Sequence, residues 1–87
     1  MFKRLPFMAR FYFNLHECGT FTPDPEGRVF ASLEAAHQAA VEDARAIMCE
    51  ELGDGALCLS CHIDIMSETG ECLARVLFKD AVEVTGA

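Results

Sequence analysis

Apolar and polar residues change rhythm along this chain, and each change marks an element. From Arg10 to His16 (RFYFNLH) they alternate. Phe11, Phe13 and Leu15 fall on one side and Tyr12, Asn14 and His16 on the other, which is the period-two signature of a half-buried strand. Glu17-Cys18-Gly19 then turns the chain, and Thr20-Phe21-Thr22 is a short second strand whose end Pro23 demotes to an exit. Asp24-Pro25-Glu26-Gly27 places Asp, Pro and Gly at the first, second and fourth positions of a type I turn. Arg28-Val29-Phe30 resumes an extended segment.

From Ser32 to Leu52 the rhythm lengthens to that of a helix. Leu33, Ala36, Ala40, Ala44, Ile47 and Met48 recur at steps of three and four with Val41 beside them, while Glu34, Gln38, Glu42, Arg45 and Glu50 take the opposite side. Ser32 is the expected N-cap, because its hydroxyl can accept from a free N–H of the first turn, and Gly53 is the expected left-handed stop. His37 borders the stripe and is expected to pack at its flank. The central alanines allow the helix axis to come close to a sheet of larger side chains.

Alternation returns from Ala56 to Met66, with Leu57, Leu59, Cys61, Ile63 and Ile65 inward and Cys58, Ser60, His62, Asp64 and Met66 outward. Ser67 to Glu71 reads as a hairpin connection, and Cys72 to Phe78 returns with Ala74, Val76 and Phe78 inward. The two apolar faces coincide only if Ile63 lies opposite Val76 and Cys61 opposite Phe78. Beyond Phe78 the same parity turns Asp80 inward with Val82 and Val84, which predicts a bulge, or a bond from Asp80 to backbone donors, near Asp80-Ala81. The expected fold is α+β, β-β-α-β-β: a four-stranded antiparallel sheet with one helix packed on one face. The pattern does not fix the strand order. Residues 8–87 form a single domain in this scheme, and residues 1–7 are an N-terminal extension expected to be disordered, with Met8 as the natural start.

Composition narrows the function classes. In 87 residues, 14 acids against 7 bases give a net charge of −7, which repels phosphate backbones and anionic headgroups. Direct nucleic-acid and membrane binding are therefore disfavoured, and no apolar run approaches the roughly 20 residues of a membrane span. Hydrophobic residues make up 52% of the chain, enough for a core without metals or cross-links. Five cysteines, an odd number with apolar neighbours and no secretory signal before them, are expected to be free, mostly packed thiols in a cytoplasmic protein.

The strand Arg10-Phe11-Tyr12-Phe13-Asn14-Leu15-His16, the turn Asp24-Pro25-Glu26-Gly27, the helix start Ser32-Leu33-Glu34-Ala35-Ala36 and the segment Phe78-Lys79-Asp80-Ala81-Val82 together resemble a family of short proteobacterial proteins known only as a domain of unknown function. The resemblance runs from about Met8 to Val84. It implies a small cytoplasmic protein and carries over no activity and no catalytic residues.

Candidate chemistry is confined to two places. Cys58-Leu59-Ser60-Cys61 has the spacing of a zinc or redox motif, yet on a strand residues three apart face opposite ways and stand about 10 Å apart, too far to share an ion or a bridge. Cys58 and His62, about 13 Å apart on one strand face, cannot form a thiol–imidazole pair. The face away from the helix carries Tyr12, Asn14 and His16 from the first strand and Ser60, His62 and Asp64, with Cys58, from the third. If those strands are neighbours, two imidazoles, a carboxylate and a thiol converge into a plausible transition-metal ligand set; otherwise the face is a solvated polar surface. No phosphate loop, nucleophile elbow or zinc-protease signature is present. The expected function is a non-enzymatic interaction or regulatory module, without cofactor, acting through the open sheet face (Tyr12, Asn14, His16, Ser60, His62, Asp64) or an edge strand, as a homodimer. The alternatives are an acidic, antitoxin-like subunit that masks a basic nucleic-acid-binding partner, and a metal-binding protein using the His/Asp/Cys face.

Overall fold

The computed structural model describes residues 8–86, so the expected extension at 1–7 lies outside the described residues. Five strands form one antiparallel sheet instead of the expected four: β1 (Ala9–Glu17), β2 (Thr20–Thr22), β3 (Arg28–Phe30), β4 (His62–Met66) and β5 (Cys72–Leu77). The helix α1 (Leu33–Gly53) lies between β3 and β4, and a four-residue helix α2 (Phe78–Ala81) follows β5. The sheet order is β2-β1-β4-β5, with β3 also on β1.

The extra strand arises because one edge of β1 is shared. Leu15 to Glu17 pair with β2, and Ala9 to Phe11 pair with β3. In the gap between them a side chain replaces the missing strand: the Phe13 N–H donates to Asp24 Oδ2 (3.0 Å), and the Asp24 N–H donates to Asn14 Oδ1 (3.0 Å). Asp24 Oδ1 also accepts from Glu26 N–H (3.2 Å) and Gly27 N–H (3.0 Å), so the turn closes through the aspartate side chain. Burial pushes the Asp24 carboxyl up, but the N–H bonds from Phe13, Gly27 and Glu26 and the charge of Arg28 outweigh it and hold the pKa below its usual value. Gly27 has φ +70°, and a Cβ there would come within 2.9 Å of the Phe11 carbonyl oxygen and the Tyr12 ring, so the turn requires glycine.

Helix α1 starts as expected, with the Ala35 N–H donating to Ser32 Oγ (3.1 Å). It ends later than expected: Gly53 is helical, and Gly55 is the left-handed residue (φ 85°) after the Asp54 cap. Ala36, Ala40, Ala44 and Met48 are buried against Phe11, Phe13, Ile63, Ile65, Val76 and Phe78, forming a core in which small helix residues face large sheet residues. Leu33 and His37, expected on or beside the stripe, are exposed.

Strand β5 takes the expected register, with Ile63 opposite Val76 and the Phe78 N–H donating to the Cys61 carbonyl (2.9 Å). A register shift between Ile65 and Met66 brings Met66 opposite Cys72, and the hairpin closes between Ser67 and Glu71 (2.8 Å). The bulge expected at Asp80-Ala81 is instead the single helical turn α2. It buries Phe78 and Ala81, rotates Asp80 outward and offers the Ala81 carbonyl to Arg45 Nε (2.6 Å). Val84 is exposed, against the parity that would have turned it inward. Among the described residues no helix is long and apolar enough to cross a membrane.

Candidate functional site

Strands β1 and β4 are neighbours. Tyr12 pairs with Met66, Asn14 with Asp64 and His16 with His62, so the strand adjacency on which the metal ligand set depends is met. On the face that α1 does not cover, two rows run across the strands. Phe21, His16, His62 and Leu77 form one, and Asn14, Asp64 and Arg75 form the other. The imidazoles of His16 and His62 stack at 4.4 Å between centroids, and Phe21 lies 4.6 Å from His16 on its other side. The two apolar side chains at the row's ends confine the histidines between them.

Asp64 is buried beneath this pair. Its Oδ1 accepts from Arg75 Nε (2.7 Å) and its Oδ2 from an Arg75 Nη (3.2 Å), a two-point clamp that fixes the carboxylate plane. Oδ2 also faces His16 Nε2 at 3.4 Å and His62 Nε2 at 3.8 Å. The His62 Nε2 is itself buried and makes no hydrogen bond, since 3.8 Å is too long for one. Burial lowers the His62 pKa and Arg75 lowers it further, so the neutral ring is favoured. Burial pushes the Asp64 carboxyl up, but the Arg75 hydrogen bonds and charge prevail and keep it ionised. The three ligand atoms lie within 4.8 Å of one another. Tetrahedral ligands at 2.0–2.1 Å from a zinc ion stand about 3.3 Å apart, and the two carboxylate–imidazole separations, 3.4 and 3.8 Å, are near that spacing before any ion enters.

The remaining candidates separate. Asn14 is engaged by the Asp24 backbone, and Tyr12 packs its ring against Gly27; both support the turn rather than the histidines. Ser60 is not on the sheet face at all. The third strand begins at His62, whereas Leu59 and Ser60 form a turn and Leu57 and Leu59 are exposed at 40% and 37%. Apolar alternation from Leu57 to Ile63 therefore runs across a chain reversal that a parity count cannot detect.

That reversal corrects the expectation for the cysteines. Because Cys58-Leu59-Ser60-Cys61 is a turn, Cys58 and Cys61 are not on opposite faces of one strand. They converge with Cys18 from the β1–β2 turn, the three sulfurs lying within 4.8 Å of one another. Cys18 and Cys58 are disulfide-bonded, with Cα atoms 7.2 Å apart, where free thiols were expected. Cys49, Cys61 and Cys72 are free, and of these Cys61 is buried. The spacing Cys-x-x-Cys with Ser inside it was the available signal for a turn; the pairing with Cys18 had none.

The family model described as "Domain of unknown function (DUF6894)" matches residues 10–79. No curated protein and no solved structure matches the chain.

Proposed function

The chain belongs to the family described as "Domain of unknown function (DUF6894)", and on that premise we propose that it is a small non-enzymatic protein that binds a divalent transition-metal ion on the open face of its sheet. His16 Nε2, His62 Nε2 and Asp64 Oδ2 are the ligands. The observation that carries this is the buried, unpartnered His62 Nε2 aimed at a carboxylate oxygen too distant to bond it. A buried acceptor or donor without a partner costs about 1–3 kcal/mol, and an ion between the three atoms removes that cost. Arg75 acts as a positioning residue, holding the carboxylate chiefly by Oδ1 (2.7 Å) and more loosely by the ligand oxygen Oδ2 (3.2 Å), as outer-shell groups hold metal-bound carboxylates. No nucleophile with an adjacent base is present in this cluster, which is why binding rather than catalysis is proposed. Two-dimensional NMR of the tag-free, oxidised protein titrated with Zn2+ tests it. Side-chain resonances of His16 and His62 should shift together and saturate at one equivalent, and His62→Ala should abolish saturation. A titration with no stoichiometric shift, or one unchanged by both His16→Ala and His62→Ala, would overturn the metal site.

A second reading is favoured by the same face. Phe21 is 53% exposed on β2, whose three residues are all exposed, and it continues the row that ends at Leu77. An exposed aromatic on a short edge strand suits self-association, and the proposed partner is a second copy of this chain. Only the net charge favours an acidic inhibitor of a basic partner.

A further inference from the structure

Cys18, Cys58 and Cys61 are chemistry that the histidine face does not use. They come from three separate places in the chain: the two-residue turn between β1 and β2, the exit from α1, and the residue before β4. The disulfide accounts for only two of the three sulfurs. The third, Cys61, is 1% exposed.

We propose that, once the Cys18–Cys58 bond is reduced, Cys18, Cys58 and Cys61 bind one thiophilic divalent cation such as Zn2+ as three thiolates, and that the disulfide is the closed form that excludes it. The turn at Leu59-Ser60 supplies the geometry by which two thiolates three residues apart reach one ion, and Cys18 supplies the third ligand from across the sheet end. The 7.2 Å between the Cys18 and Cys58 Cα atoms exceeds the usual 4.4–6.8 Å of a disulfide, so the two backbones already stand apart by enough for the sulfurs to separate around an ion. A cleft of about 490 Å3 lined by Leu59, Ser60, Cys61, Leu77 and Lys79 opens beside the turn and reaches Cys61. Three ligands leave the fourth tetrahedral position to water or an exogenous donor.

Opening the site takes two electrons from a dithiol. One dithiol sulfur, as thiolate, attacks Cys18 or Cys58, breaking their S–S bond and forming a mixed disulfide while the other cysteine leaves as thiolate. The second dithiol sulfur then closes on the first. The dithiol departs as a cyclic disulfide, and its two protons go to Cys18 and Cys58. Cation binding subsequently releases one proton per sulfur to solvent.

This site shares no ligand with the histidine cluster and does not depend on it. The test is Co2+ titration of the full-length, phosphine-reduced protein under anaerobic conditions, read by sulfur-to-cobalt charge-transfer absorption. One equivalent should saturate the band. Cys18→Ser and Cys61→Ser should each lower its intensity, Cys49→Ser and Cys72→Ser should leave it unchanged, and oxidised glutathione should erase it. Because Cys61 belongs to the core, Cys18→Ser in its exposed turn decides the matter if Cys61→Ser does not fold. Absence of the band in the reduced protein, or its full survival in Cys18→Ser, overturns the proposal. The Zn2+ titration on the histidine face uses the oxidised protein, in which this site is closed, so the two can fail separately.

Discussion

The Asp24 carboxylate accepts from three backbone N–H groups. One carboxylate satisfies the Phe13 N–H that neither β2 nor β3 reaches, and closes its own turn onto Glu26 and Gly27. Replacing it with Ala should cost about 1–3 kcal/mol, because a part-buried backbone donor loses its acceptor. Its folded pKa lies below the unfolded value, near 3.9, so its contribution is fully present above that value and is lost as pH falls through the depressed folded one. In urea melts the gap between wild type and Asp24→Asn should therefore be wide at neutral pH and narrow below about pH 4. A gap that does not change with pH would mean that the carboxylate charge plays no part.

At the scale of elements, hydrophobic rhythm exposed what depends on period and concealed what depends on direction. The strand at Arg10–His16, the helix with its Ser32 cap, and the Ile63–Val76 register were all legible because burial imposes periods of two and 3.6 on side chains. The third strand's start was not, since Leu57 and Leu59 keep the alternation while the backbone reverses at Ser60, and with it went the cysteine cluster. Helix α2 left a fainter trace: an inward Asp80 conflicts with a strand, and one helical turn resolves the conflict by pairing Phe78 with Ala81 at a spacing of three. For α1 the structure distinguishes stripe residues that the sequence treats alike. Ala40 is fully buried against the sheet whereas Leu33 is 38% exposed. Ala40→Leu should lower the stability by about 1–3 kcal/mol through overpacking, and Leu33→Ala should stay within about 0.5 kcal/mol, both read from urea midpoints. Equal effects would place Leu33 in the core.

For the whole molecule, one helix covers one face of five strands, and the other face carries the histidine row with Phe21 at its rim. If that face joins two copies, light scattering after gel filtration should report twice the mass of one chain, and Phe21→Ser should restore the monomer. A monomer at every concentration would end the self-association proposal. The histidine cluster was legible as a list of residues but not as a site, because its convergence depends on β1 and β4 being neighbours, and the pairing of strands so far apart in the chain leaves no local signal. The same adjacency makes β1 the hub of the sheet, since β2, β3 and β4 all pair with it. On the ribosome this strand emerges early, yet its long edge stays unpaired until His62–Met66 arrives some fifty residues later. Synthesis therefore imposes a waiting time of several seconds, at about 5–20 residues per second, during which an apolar strand edge is open to any other chain that can pair with it.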